Sequence, residues 1–387
     1  MPRVTAALLA LALALAPAAR AQPQPQAPVA AAVHATPFDF LQDRQILFPV
    51  TLNGRVVEAW LDSGASATVV DAALAAELGV LGGGAASVHG LASEVQGVRL
   101  AVADLQLGDL VMHGRRVAIM DLTPLTRVTP RPAQLILGRD VFEATVVDID
   151  FQARRIAFLD PTAFAPPDAP HLPLAASGEL RSFPVAVAGE TVAAILDLGN
   201  SGALLIRRDW AEARGLLSGR PVSTQLSVGV DGPLESAVTS LDGIEVGGVR
   251  FDGAPTVATP GLMSAAPVNV GLGLLSRFRV TVDFTGGRLW LQPYPGAARA
   301  PFRKNRAGLW TVNEGDRLRV THVAPGSPAA AAGWRVGSAI TAIDGQPITP
   351  GFGLTPLFGW INGPAGREVA LTLDDGSRRV LRLKDYY

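Results

Sequence analysis

The stretch Phe48-Pro49-Val50-Thr51-Leu52-Asn53-Gly54-Arg55-Val56-Val57-Glu58-Ala59-Trp60-Leu61-Asp62-Ser63-Gly64 returns later in the chain. It reappears as Phe183-Pro184-Val185-Ala186-Val187-Ala188-Gly189-Glu190-Thr191-Val192-Ala193-Ala194-Ile195-Leu196-Asp197-Leu198-Gly199, at a constant offset of 135 residues. Self-similarity at one fixed offset marks two copies of a single structural unit. The echo continues downstream. Leu105-Gln106-Leu107-Gly108 answers Ile244-Glu245-Val246-Gly247, and Leu137-Gly138 followed by Asp150-Phe151 answers Val270-Gly271 followed by Asp283-Phe284.

Local patterns give each copy the same script. Residues 45–57 alternate and are rich in β-branched side chains, and Asn53-Gly54 between two apolar runs predicts a hairpin. Residues 57–61 then form a strand that delivers Asp62 into a Ser-Gly-Ala-Ser turn, and 71–78 form a short helix closed by Gly79. In the second copy, residues 181–187 and 191–196 are strands around Gly189, and 208–214 form a short helix closed by Gly215. An aspartate followed two residues later by glycine suits a carboxylate aimed outward from a tight turn. Gly64 and Gly199 close those turns, and Gly138 and Gly271 (or Gly273) are positioned to let a strand end pass beside each one. Two such units about a pseudo-two-fold axis can bring Asp62 and Asp197 face to face. Like charges in a poorly solvated cleft do not both ionise, so the pair shares one proton. The ionised member can draw a proton from water while the protonated member donates to an amide carbonyl.

Leu61-Asp62-Ser63-Gly64-Ala65-Ser66, with Leu135-Ile136-Leu137-Gly138-Arg139-Asp140 downstream, resembles a lobe of the retropepsin-like aspartic proteases. Asp197-Leu198-Gly199-Asn200-Ser201 with Val270-Gly271-Leu272-Gly273 resembles a second lobe. The resemblance implies a mostly β fold of two β-barrel lobes in pepsin-like arrangement. It further implies Asp62 and Asp197 as catalytic dyad, Ser63, Gly64, Gly199, Gly138 and Gly271 as active-site loops, a polypeptide substrate and a monomer. In the family a hydroxyl after each aspartate cross-braces the two loops. Ser63 supplies one, and Leu198 stands where the other belongs. The three Tyr, at 294, 386 and 387, all lie outside any flap region. The hairpins around Ser87-Val88-His89-Gly90-Leu91 and Val228-Gly229-Val230-Asp231-Gly232 are the two candidate flaps.

Val320-Thr321-His322-Val323-Ala324-Pro325-Gly326-Ser327-Pro328-Ala329, then Ala332-Gly333-Trp334 and Gly337 to Gly345, resembles a PDZ domain. Residues 317–323, 339–343, 368–373 and 379–383 read as its strands. Such a domain takes a peptide as an added strand, with backbone amides receiving a terminal carboxylate. Gly308-Leu309-Trp310 is the expected carboxylate loop, with Trp310 at a position where the family has glycine. The basic segment carrying Arg299, Arg303, Lys304 and Arg306 reads as a linker.

Composition sets the remaining bounds. Charged residues are 17% against 48% apolar, which places the 387-residue chain among core-forming globular proteins. A net charge of -1 gives no electrostatic footprint for nucleic acid. Arg3, the apolar run 6–16 and Ala19-Arg20-Ala21 read as a secretory signal with cleavage before Gln22, hence a periplasmic or secreted protein with no membrane span after cleavage. The chain has no Cys, so neither disulfides nor a cysteine-linked lipid is expected. The five His are scattered without metal-ligand spacing, no nucleotide loop occurs, and no metal or cofactor is expected. Asp148 and Asp150 read as a solvated strand end. The resulting division is 1–21 signal peptide, 22–37 flexible lead, 38–165 first lobe, 166–298 second lobe and 299–387 PDZ domain.

Overall fold

The computed structural model describes residues 35–80, 82–89, 94–126, 129–262 and 264–387. The expected signal peptide and most of the flexible lead lie outside the described residues. The lead ends earlier than Pro37. Thr36–Pro37 pairs with Arg155–Leu159, because Phe38 anchors the chain edge-on against Phe151 with ring centroids 5.9 Å apart.

In each repeat the hairpin comes first. Asn53 (φ 45°) and Gly54 (φ 83°) form a turn with both central residues at positive φ, joining Gln45–Leu52 to Arg55–Leu61. Ala188 (φ 53°) and Gly189 (φ 82°) make the same turn between Leu180–Val187 and Glu190–Leu196, although no Asn is present there. Phe48 and Phe183 are both buried in the continuous main core. Each contributes about 1.5–3 kcal/mol through apolar burial.

The second strand of each hairpin then runs parallel to a short apolar strand from much later in its repeat. Arg55–Leu61 pairs with Leu135–Leu137, with Leu61 opposite Leu137. Glu190–Leu196 pairs with Val268–Val270, with Leu196 opposite Val270. The short strands are themselves paired antiparallel with Val69–Asp71 and Leu204–Arg207. Each aspartate follows directly where a buried strand ends. In the first repeat, Gln45–Leu52 also pairs with Glu94–Leu107, so the sheet curls back on itself.

A six-stranded sheet joins the repeats. Val146–Asp150 of the first lies antiparallel to Phe278–Asp283 of the second, with Val147 opposite Val282 and Ile149 opposite Val280. Asp148 and Asp150 are engaged here and do not form a solvated end. Arg279 reaches Asp148 across the junction at 2.7 Å, Thr281 donates to Asp148 at 2.7 Å, and the Tyr294 hydroxyl donates to Asp150 at 2.9 Å.

The C-terminal region forms its own sheet, in the order Leu309–Asn313, Leu318–Val323, Ala339–Ile343, Glu368–Leu373, Arg378–Arg382. It has a separate core around Leu318, Val320, Trp334, Ile340, Trp360 and Leu371. The basic segment before it is packed against its surroundings: Lys304 donates to Ser240 at 2.7 Å and Arg306 to Asp385 at 2.7 Å. Among the described residues no helix is long and apolar enough to cross a membrane.

Candidate active site

The backbone N–H of Asp62 donates to the Leu137 carbonyl at 3.0 Å, and that of Asp197 to the Val270 carbonyl at 3.1 Å. Each aspartate is thus fixed at its root by the strand that ends in Gly138 or Gly271. Those glycines are at φ -100° and φ -109°, conformations open to any residue. What they provide is space. A methyl at Gly138 would overlap the Ala67 carbonyl, and one at Gly271 would lie 2.5 Å from the carbonyl oxygens of Asn200 and Gly202.

The two aspartate loops meet across the internal dyad. A methyl at Gly64 would stand 2.7 Å from Cγ of Asp197, and one at Gly199 would overlap the carboxyl of Asp62. Each carboxyl therefore lies on the glycine of the opposite loop, which brings the two into one buried site. Burial pushes the Asp62 carboxyl up to about 8, reinforced by the negative charge of Asp197. Burial also raises Asp197, but more donors hold its charge. Gly199 N–H and Asn200 N–H donate to its Oδ1 at 2.9 and 3.0 Å, and the Asn269 amide donates to its Oδ2 at 2.6 Å. Asp62 has only the backbone N–H groups of Gly64, at 2.8 Å, and Ala65. Asp62 is therefore the protonated member and Asp197 the ionised one.

Asn269 was not legible as a site residue. Its amide is oriented by Asn200, whose Nδ2 donates to Asn269 Oδ1 at 2.8 Å, so that Nδ2 of Asn269 faces Asp197. Ile136 occupies the matching register in the first repeat, opposite Trp60 as Asn269 is opposite Ile195. The one available signal was a polar residue breaking an otherwise apolar strand. The first repeat uses a different device: Thr68 donates to Asp140 from both its N–H, at 2.7 Å, and its hydroxyl, at 2.8 Å.

The brace between the loops is one-sided. Ser63 Oγ donates to the Leu196 carbonyl at 2.8 Å and accepts from the Leu198 N–H at 3.0 Å, all buried. The Leu198 side chain has no hydroxyl to return the brace and lies fully inside the main core. Ser63→Ala would strand two buried backbone groups, with an expected cost of about 1–3 kcal/mol. Urea unfolding of the variant checks this, and a loss below about 0.5 kcal/mol would mean that the brace does not hold the loops.

The pair lines a cavity of about 1340 Å³. The hairpin Ser223–Gly229 with Gly232–Leu241, one of the two candidate flaps, crosses that cavity. Val230 at its tip packs against the first-repeat cluster of Val69, Ala118, Met120 and Ile136. Its base is fastened to the C-terminal domain: Thr224 Oγ1 lies 2.9 Å from His322 Nε2, and Ser223 donates to the Pro325 carbonyl at 2.5 Å. In the other candidate flap, Ser87, Val88 and His89 end the strand Gly83–His89, and Gly90 and Leu91 lie outside the described residues.

In the C-terminal domain, Gly308 is at φ 78° and its amide does not wait for a ligand. The N–H groups of Ala307 and Gly308 donate to Asn305 Oδ1 at 3.2 and 2.9 Å, and Asn305 Nδ2 donates to the Leu309 carbonyl at 2.9 Å. The Trp310 ring packs edge-on against His322, with centroids 5.2 Å apart.

Comparison with known proteins agrees with this geometry. A family model described as aspartyl protease matches residues 48–141 and again 183–275, and one described as PDZ domain matches residues 319–374. No curated protein matches the chain. The chain consists of two fused retropepsin-like aspartyl protease repeats followed by a PDZ domain.

Proposed function

We propose that the protein is an exported aspartic endopeptidase, acting as a monomer on polypeptide substrates that the PDZ domain helps to recognise. The observation that carries this reading is the placement of the Asp62 and Asp197 carboxyls on each other's glycine loops at the wall of a large cleft. Asp197 takes a proton from a water held between the carboxyls, and the water oxygen attacks the scissile carbonyl. Asp62 gives its proton to the carbonyl oxygen, which makes a gem-diol. As the gem-diol collapses and the C–N bond breaks, Asp197 passes the proton it took from water to the departing nitrogen and Asp62 recovers one hydroxyl proton, which leaves a carboxylic acid, a free amine and the singly protonated pair. Export rests on the reading of residues 1–21.

Hydrolysis requires the singly protonated pair. Its upper limit is set by loss of the last proton, so the rate is expected to fall as pH rises through about 8. Its lower limit comes where Asp197 becomes protonated. Asn269→Leu removes a donor to the charged form of Asp197 and should shift that lower limit to higher pH. A pH–rate profile of parent and variant checks both, and a rate that climbs steadily through pH 9 would remove the acid–base assignment. A second reading, a peptide-binding protein that does not cut, is favoured by Leu198. Binding of a peptide mimic carrying a hydroxyl in place of the scissile carbonyl, seen as a raised melting temperature, separates the two.

A further inference from the structure

The PDZ groove and the aspartate pair open into one space. Leu309–Asn313 is the edge strand of the PDZ sheet and, among the described residues, is paired on one side only, with Leu318–Val323. An edge of that kind is a template for an added strand. Trp310, Thr311 and Val312 on this strand, and Phe358 and Ile361 facing it, line the same cavity as Asp62 and Asp197. The groove is held in that orientation from both repeats. His322 and Pro325 are tied to the hairpin that crosses the cleft, and Gln42 of the first repeat donates to the Gly353 carbonyl at 3.3 Å.

The start of the edge strand bears on what the groove accepts. A domain that captures chain ends keeps amides free for a terminal carboxylate. Here the buried Asn305 side chain already occupies the Ala307 and Gly308 amides and ties itself to the Leu309 carbonyl. The Ala307 and Gly308 amides at the entrance of the expected loop are thus internally satisfied and are not offered to a terminal carboxylate.

From these placements we infer that a single polypeptide occupies both sites. An extended, apolar internal stretch adds to the edge strand Leu309–Asn313, while a neighbouring stretch of the same molecule lies across Asp62 and Asp197. This rests on the endopeptidase reading and deepens it: the substrate is a long, unfolded polypeptide, and the PDZ domain sets which bond is presented. Tethering makes the second contact intramolecular, which raises binding on the order of 10²-fold or more.

The test uses the full mature chain and a fluorescent apolar core peptide. The core is compared with versions carrying an apolar extension on one side or the other, each with a free or an amidated C-terminus. KM is measured on the parent, and Kd by anisotropy on Asp62→Asn, which binds without cutting. The expected result is an extension on one side that lowers KM and Kd together by about 10²-fold, equally in the free and amidated forms. Equal values for core and both extensions would overturn the inference. So would a gain that vanishes on amidation, since the groove would then be taking chain ends. A protein that cuts none of the peptides yet binds one extended form about 10²-fold tighter would uphold this inference while removing the endopeptidase reading.

Discussion

Asp62→Asn and Asp197→Asn are each expected to lower the rate of peptide hydrolysis by at least about 10³-fold, with the double variant little worse than either alone. The reason lies in the division of labour. In the proposed reaction Asp197, the better supplied with donors, keeps the charge that draws a proton from water, while Asp62 holds the proton that the carbonyl oxygen receives. Neither role survives replacement by an amide, and neither carboxyl can perform both. The fold should persist, and Asp62→Asn carries a second signature. The Asp62 carboxyl titrates at about 8 when folded against an ordinary value of 3.8. Between those values the folded protein binds more protons than the unfolded chain, so stability is greatest at the acid end and declines as pH rises through about 8. An amide cannot ionise, so the variant should melt higher than the parent at pH 8 and gain little at pH 4. A variant that keeps a tenth of parental hydrolysis, or melts lower at pH 8, would break the assignment.

Gly138→Ala is expected to be among the most damaging single-methyl changes in the chain, costing about 3 kcal/mol or more. The backbone there tolerates any residue, so the penalty is purely one of space. The added methyl meets the Ala67 carbonyl and lies 3.0 Å from the Ala65 carbonyl oxygen, which already accepts from the Arg139 N–H at 2.9 Å. These are main-chain atoms of the first aspartate loop, and they cannot rotate away as a side-chain tip could. Gly54→Ala makes the contrast. That glycine has φ 83° and nothing within 4 Å of the added methyl, so only conformational strain of about 1–2 kcal/mol is expected. Denaturant midpoints of the two variants measure the difference, and equal losses would mean that the contact at Gly138 relaxes freely.

Much of this arrangement was legible in the chain because repetition is a long-range signal. The copy of Phe48–Gly64 at Phe183–Gly199 carries hairpin, strand and aspartate turn together, and alternation within it matches the buried faces observed. Gly138 and Gly271 were identifiable because they end apolar runs, each twelve residues ahead of a later Asp-Phe pair at Asp150 and Asp283. What escaped reading depends on which side chains meet. Asn269 sits within a strand of three residues, where periodicity has nothing to register. The hairpin Ser223–Gly229/Gly232–Leu241 shows its turn in Asp231-Gly232, but not that it reaches over to the first repeat. Asn305 lies in a segment whose basic residues suggested a tether, and its role exists only once Ala307 and Gly308 fold back onto it.

The sheet that interleaves Val146–Asp150 with Phe278–Asp283 makes the two halves partners for life within one molecule. In an assembly of identical chains, any amino-acid change is imposed on both sides at once, and a substitution that helps one side must be endured by the other. Covalent union lifts that constraint. Serine in one loop and leucine in its counterpart, isoleucine in one strand and asparagine opposite, are differences that only a permanently joined pair can keep. They allow an ancestral symmetric centre to assign distinct permanent duties to its two acids.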